Sequence, residues 1–143
     1  MLRLCEPTDG LNIWQINCED LGYEVPLDLC ESQLKKVLKN PEHCIFVYEC
    51  DGQVVGYIHA QRYDVTYANP LVNVLGLAVK KAYRRNGIGG LLLLMVEDWA
   101  REICAEGIRL NSGAQRTAAH AFYEAWGYTC RKEQRNYFKL LID

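Results

Sequence analysis

The stretch VLGLAVKKAYRRNGIGGLLLLMVEDW, residues Val74 to Trp99, decides how the rest of the chain is read. Val74 to Val79 is a short apolar run, which predicts a buried strand. Lys80 to Asn86 is basic, with Tyr83, Arg84 and Arg85 leading into Gly87. Ile88, Leu91, Leu92, Met95, Val96, Trp99 and Ile103 then recur at spacings of three and four, which predicts one buried helix face. A strand, a basic glycine-rich turn and a helix together form an anion site. The first N–H groups of a helix lack intrahelical acceptors and lie at the positive end of its dipole. Gly87, Gly89 and Gly90 carry no side chains that would hold a phosphate away from those donors. Arg84 and Arg85 can add charge-assisted bonds at the rim.

Two diphosphate motifs are excluded by the residues that follow. A P-loop needs Lys and then Ser or Thr after its last glycine, whereas Leu91 and Leu92 follow Gly90. A dinucleotide fingerprint needs a third glycine where Leu92 stands, inside an array of alternating strands and helices that this chain lacks.

At 143 residues the chain suits a single domain, 1–143, with a sizeable core. No apolar run approaches the ~20 residues that span a bilayer. The N-terminus has Arg3, Glu6 and Asp9 without a continuous apolar segment, which reads as no secretion signal. The seven cysteines are odd in number, form no CxxC pair and do not cluster with the three histidines. Reduced thiols in a cytoplasmic protein without a metal site are therefore expected. The net charge of −2 argues against a general nucleic-acid binder. Its distribution is uneven: residues 1–70 hold eleven acids against five bases, and the remainder seven against eleven. An acidic half beside a basic half suits a cationic acceptor on one side and an anionic cofactor on the other, and equally suits a scatter of solvated charges.

In chain order, Leu2 to Cys5 predicts a strand and Asp9 a cap for a helix that runs to about Gly22. A second helix spans about Asp28 to Leu38. Strands follow at His43–Glu49 and Val54–Arg62, joined by an Asp51-Gly52 hairpin turn. The central strand begins near Val72. The long helix is stopped by Gly107, and Ile108–Ser112 is the next strand. Thr117–Ala125 is a short helix, and Tyr128–Arg131 with Tyr137–Leu141 reads as a closing antiparallel pair. The expected fold is α/β of the α+β kind, a mixed, mostly antiparallel sheet flanked by helices in the order β-α-α-β-β-β-α-β-α-β-β.

Arg84-Arg85-Asn86-Gly87-Ile88-Gly89 resembles the Q/R-x-x-G-x-G/A coenzyme A signature of the GNAT superfamily of N-acetyltransferases, and it follows a Leu-Ala-Val strand as it does there. Ala118 to Tyr128, AAHAFYEAWGY, is similar to that family's late A-x-x-F/L-Y-x-x-x-G-F/Y segment. The two motifs are correctly ordered and spaced, and the element order matches the family's fold.

The resemblance implies acetyl transfer from acetyl-CoA to an amine by direct attack, without a metal. It implies that a bulge splays the central strand from its neighbour, so that Leu77, Ala78 and Val79 meet the pantetheine arm. An N–H near Leu77 would polarise the thioester carbonyl and stabilise the oxyanion that develops there. The pyrophosphate would sit on the amides of Arg85, Asn86, Gly87, Ile88, Gly89 and Gly90. Tyr123 falls where the family often places the acid that protonates the departing thiolate. Many members carry Asn seven residues earlier; here Arg116 stands at that position and could reach a CoA phosphate instead. Asn111 is a further cofactor candidate.

The acceptor ammonium must lose a proton before it attacks, since a simple amine titrates near ~10.4. Tyr57 and His59 share one face of their strand by period two, Asn73 begins the central strand, and Tyr23 and Glu24 lie in the loop between the first two helices. These are the substrate-side candidates, and the pattern singles out no base among them. The expected acceptor is a small cationic amine such as an aminoglycoside or polyamine. An amino-acid or protein amine, or a CoA-binding module without turnover, remains the alternative. A homodimer through the C-terminal strands also fits the pattern.

Overall fold

The computed structural model describes residues 1–142, which divide into two compact units, Met1–Asn111 and the residues from Ser112 onward. The first unit holds β1 (Leu2–Leu4), α1 (Gly10–Glu19), α2 (Leu27–Leu38), β2 (His43–Cys50), β3 (Gln53–Tyr63), β4 (Leu71–Val79), α3 (Ile88–Glu102) and β5 (Gly107–Leu110). The five strands form one sheet in the order β1-β2-β3-β4-β5. All pairings are antiparallel except β4 with β5, which is parallel. The mostly antiparallel mixed sheet expected from the sequence is the one observed.

Alternation along the strands sends side chains to two cores. Ile45, Val47 and Tyr57 join Ile13, Ile16 and Leu34 of α1 and α2. Ile58 is fully buried on the opposite face, and a Cβ at Gly56 would lie 3.4 Å from Ile88 at the start of α3. The same Cβ would crowd β4 more closely, at 3.2 Å from the Ala78 carbonyl and from the Val79 side chain. Leu92, Leu93 and Val96 of α3 are completely buried. Each such side chain contributes about 2 kcal/mol by leaving water, so the docking of α3 rests on them and leaves the basic turn before it free for other work.

The hairpin forms as expected. Asp51 and Gly52 have φ of 51° and 76°, the pair of positive values that matches a tight turn to the twist of its strands. Asp9 behaves differently from expectation. Its carboxylate accepts the Glu6 N–H at 2.8 Å and the Arg3 guanidinium at 2.8 Å, so it ties β1 to the 3-10 turn Pro7–Asp9 and gives α1 no side-chain cap.

The buried stripe of α3 also differs. Leu91 is 38% exposed, whereas Leu93 and Ala100 are buried. The run Leu91–Leu94 offers several helical phases to the same periodic test, and packing against the sheet selects among them. The end of α3 comes earlier than Gly107. Cys104 takes the left-handed conformation at φ 61°, and the Ala105 N–H reaches back to the Ala100 carbonyl at 2.8 Å. Gly107 is thereby released to begin β5.

The second unit contains α4 (Thr117–Ala125), followed by Gly127 at φ 91°. The closing strand pair expected at Tyr128–Arg131 and Tyr137–Leu141 is not formed. Residues 128–142 carry no regular element, and Tyr137, Phe138 and Leu141 are each more than 80% exposed. Aromatic and aliphatic residues supply strand propensity, but a strand exists only when an edge accepts its backbone groups. Among the described residues no helix is long and apolar enough to cross a membrane.

Candidate functional site

β4 loses one of its two neighbours halfway along. Its pairing with β5 runs from Leu71↔Gly107 to Val74↔Leu110 and stops there. On the other side the register passes from Ala60↔Val74 to His59↔Gly76, which leaves Leu75 as an unpaired bulge. Beyond it, β4 stays paired to β3 through Val79↔Gly56. The Lys80 N–H donates to the Val55 carbonyl at 2.8 Å. In an antiparallel ladder the direction of backbone groups alternates, so Ala78 and Gly76 turn toward β3 while Leu77 and Val79 turn toward the open side. The Val79 carbonyl there accepts Arg84 Nε at 2.9 Å. What stays open is both backbone groups of Leu77 and the N–H of Val79. The Ala78 side chain is buried in the α1–α2 core.

The glycine-rich turn follows directly. Arg85 and Gly87 are both left-handed, at φ 65° and 79°, and Gly87 is the N-cap of α3. The amide of Asn86 holds the turn from inside, donating to the Tyr83 carbonyl at 3.2 Å. The helix ladder begins with the Leu91 N–H on the Gly87 carbonyl, so the N–H groups of Ile88, Gly89 and Gly90 precede it without intrahelical acceptors. No atom would lie within 4 Å of a Cβ at Gly87, so the approach to these amides is open. Arg84 is engaged within the protein, its Nη2 on Asp20 at 3.0 Å, whereas Arg85 is exposed. The open backbone of β4 and the free first-turn amides of α3 therefore follow one another along the chain, with the exposed Arg85 between them.

The substrate-side candidates separate into two groups. Tyr57 is buried and its hydroxyl donates to Asn17 Oδ1 of α1; burial pushes its pKa upward. A Cβ at Gly76 would lie 3.7 Å from that hydroxyl, so Tyr57 reaches the strand right beside the bulge. His59 meets His43, with Nε2 and Nδ1 2.8 Å apart. Burial and then the His43 charge push His59 down to about 4, so the His59 ring is neutral near pH 7. Asn73 is held by Arg109 Nη1 at 2.7 Å, and that guanidinium also lies 4.4 Å from the Tyr63 ring centroid. Tyr23 and Glu24 are exposed in the loop after α1, which is pinned by Trp14 Nε1 on the Val25 carbonyl at 2.6 Å and Tyr23 N–H on the Asn17 carbonyl at 2.9 Å.

Two residues escaped the sequence reading, Asn17 and Asp20. The available signal was two polar residues three apart on the turn of α1 that otherwise carries Ile13, Ile16 and Leu21. Asn111 is exposed just after β5.

In the second unit, Tyr123 packs edge-on against Phe122 and Tyr128, at centroid distances of 5.3 and 6.1 Å. Burial raises its pKa, with Arg116 opposing, so it holds its proton at neutral pH. Arg116 is the exposed N-cap of α4.

The family model described as "Acetyltransferase (GNAT) family" matches residues 11–128. The chain belongs to the GNAT acetyltransferase family. It carries an acetyl-CoA-dependent N-acetyltransferase domain, with acetyl-CoA as its cosubstrate. An uncharacterized N-acetyltransferase of Methanocaldococcus jannaschii is 35% identical over 98 residues, which are 68% of this chain and 60% of the relative's own length. An aminoglycoside N(6')-acetyltransferase type 1 of Stenotrophomonas maltophilia is 26% identical, over 99% of this chain and 94% of that protein. Among solved structures, AAC(6')-Iy in complex with the bisubstrate analogue CoA-S-monomethyl-acetylneamine superposes with a TM-score of 0.86 at 19% identity, covering 98% of this chain and 97% of the other. At that identity the likeness speaks to the fold alone.

The histidine pair makes a pH prediction. With its folded value near 4 and an ordinary value of 6.5, His59 binds its proton more readily in the unfolded chain. Its contribution to stability is therefore present above pH 6.5 and lost as pH falls toward 4, amounting to roughly 3 kcal/mol. Between pH 7 and 4, the melting temperature of the native protein should fall further than that of His59→Gln. Parallel curves would show that His59 plays no part in the acid transition.

Proposed function

We propose that this protein transfers the acetyl group of acetyl-CoA to a small cationic amine of the aminoglycoside or polyamine kind. The observation that carries the reading is the run of open backbone donors, from Leu77 and Val79 on the unpaired side of β4 to the first-turn amides of α3. Acetyl-CoA supplies the activated acyl group as a thioester. In our reading Leu77 and Val79 pair with its pantetheine arm, and the Leu77 N–H is the donor that polarises the carbonyl oxygen. The amides from Arg85 to Gly90 hold the diphosphate, with Arg85 and Arg116 adding charge and Asn111 a further polar contact. Ala78 acts through packing, since its backbone groups belong to β3.

Tyr123 enters as proton donor to the leaving thiolate on the strength of its motif. A phenol that holds its proton at neutral pH is in the state this step requires. His59 is a poor base for the incoming ammonium, because a ring that titrates near 4 is far below an amine and Nε2 already faces His43. We assign the proton to water. Tyr57, Asn73, Tyr23 and Glu24 are the residues proposed to face the acceptor.

The acidic first half of the chain supports a cationic acceptor, as does the near full-length match to an aminoglycoside N(6')-acetyltransferase. The family match crosses the boundary between the two units at Asn111, which supports one functional domain. Seven free thiols support residence in the cytoplasm. The exposed Tyr137, Phe138 and Leu141, together with the outer edge of β5, which has no second strand partner among the described residues, support a homodimer made by strand addition.

Mass spectrometry should detect one acetyl group on an amine when the protein and acetyl-CoA are incubated with a pool of aminoglycosides, polyamines, amino acids and peptides. Binding of acetyl-CoA without acetylation of any pool member would favour a CoA-binding module. Gly87→Val introduces a β-branched side chain at a left-handed position in the phosphate seat. It should weaken acetyl-CoA binding about tenfold or more by calorimetry, with the fold retained by circular dichroism. Unchanged affinity would remove the phosphate assignment. Tyr123→Phe should lower kcat by roughly ten- to a hundredfold with little change in acetyl-CoA affinity; an unaltered kcat takes Tyr123 out of the chemistry.

A further inference from the structure

We propose that Asp20 is a positioning residue for cofactor binding, and that its partner Arg84 serves as a brace within the turn before it serves any phosphate. This rests on the reading of the Gly87–Gly90 turn as the diphosphate seat. The starting observation is a carboxylate in an unfavourable place. Asp20 is the C-cap of α1, at the negative end of that helix dipole, and its side chain is only 7% exposed. A buried carboxylate is costly unless it is paired, and α1 itself offers it nothing. Its location is explained by what it holds.

Asp20 Oδ1 accepts the backbone N–H of Lys81 at 3.1 Å and Arg84 Nη2 at 3.0 Å. The same guanidinium turns its Nε to the Val79 carbonyl at 2.9 Å. Arginine suits this because its donors are fixed in one plane, so a bond at one edge orients the bond at the other. The segment from Val79 to Arg84 is thereby pinned at the strand end, at Lys81 and at Arg84. It is this segment that sets how far the amides of Ile88, Gly89 and Gly90 stand from the open backbone of Leu77. A ligand that spans both regions gains affinity when the spacing exists before it arrives, since ordering the turn is then not deducted from binding. Asp20 also stands directly before the loop 21–26, whose first residues hydrogen-bond back to Ile16 and Asn17. The carboxylate thus references the cofactor turn to the end of α1.

The test compares coenzyme A with S-acetylpantetheine, which has the thioester and the arm but no diphosphate. Calorimetry with coenzyme A and with S-acetylpantetheine is run on the native protein, Asp20→Asn, Asp20→Ala, Arg84→Gln and the Asp20→Ala/Arg84→Gln double variant, with thermal melts alongside. Asp20→Ala should weaken coenzyme A binding about tenfold while the affinity for S-acetylpantetheine changes less than about twofold. The double variant should be no weaker than the worse single one, because both changes break one brace. Asp20→Asn keeps the shape and an acceptor oxygen and should lose less than Asp20→Ala, so it remains informative if the alanine variant folds poorly. Equal losses with both ligands, or additive losses in the double variant, would overturn the positioning role. A native protein that binds coenzyme A no more tightly than S-acetylpantetheine would overturn the diphosphate seat itself.

Discussion

A strand that loses a neighbour halfway along leaves backbone donors and acceptors without partners, and that constraint governs the rest of this structure. β4 is fully paired up to Val74 and half-paired from the Leu75 bulge to Val79. Unpaired backbone groups away from water are costly. They persist here because the neighbouring elements keep the open side open: β5 is short, ending at Leu110, and α3 packs beneath the sheet through Leu92, Leu93 and Val96. The same arrangement points the first turn of α3 toward the end of the strand. The early end of β5 leaves one side of β4 unpaired, and the glycine-rich start of α3 adds its first-turn amides beyond that strand.

The basic character of the turn is less directly about the ligand than the composition suggests. Both of its arginines are exposed, but Arg84 is engaged by Asp20 and the Val79 carbonyl. The diphosphate reading therefore leans on backbone amides, which need no side-chain ordering, with charge as a supplement. That division is physically sensible, since amides fixed by a helix start lose little entropy on binding compared with a free arginine side chain.

On the opposite face, polar groups are placed sparingly and each has a partner. Tyr57 meets Asn17, His59 meets His43, and Asn73 meets Arg109. Among the described residues no buried side-chain nitrogen or oxygen lacks a hydrogen-bond partner. The histidine pair in particular reads as structure: two rings sharing one contact, with a value for His59 too low to serve an amine.

Much of this was legible before any coordinates. The hairpin at Asp51-Gly52, the run of strands around it, the glycine-rich helix start at Gly87 and the short helix Thr117–Ala125 all follow from local rules: turn chemistry, period-two and period-3.6 patterning, and the positions where only glycine is comfortable. The bulge and the outward direction of Leu77 and Val79 were expected from family resemblance, and the ladder bears out that geometry. Other features depended on contacts between distant parts of the chain. Which leucines of the run Leu91–Leu94 face the sheet was settled by packing. Cys104 ended α3 in place of Gly107, because the chain had to turn back into β5 sooner than composition indicated. The C-terminal residues have a strand-like composition but no ladder, since propensity cannot supply an edge. Asp20 and Arg84, separated by 64 residues, meet only because α1 and the turn after β4 are brought to the same place. Local pattern determined the kinds of element and the chemistry of the turn; tertiary structure decided which charged and polar groups were consumed by one another and which stayed open, because that depends on distances no spacing in the chain encodes.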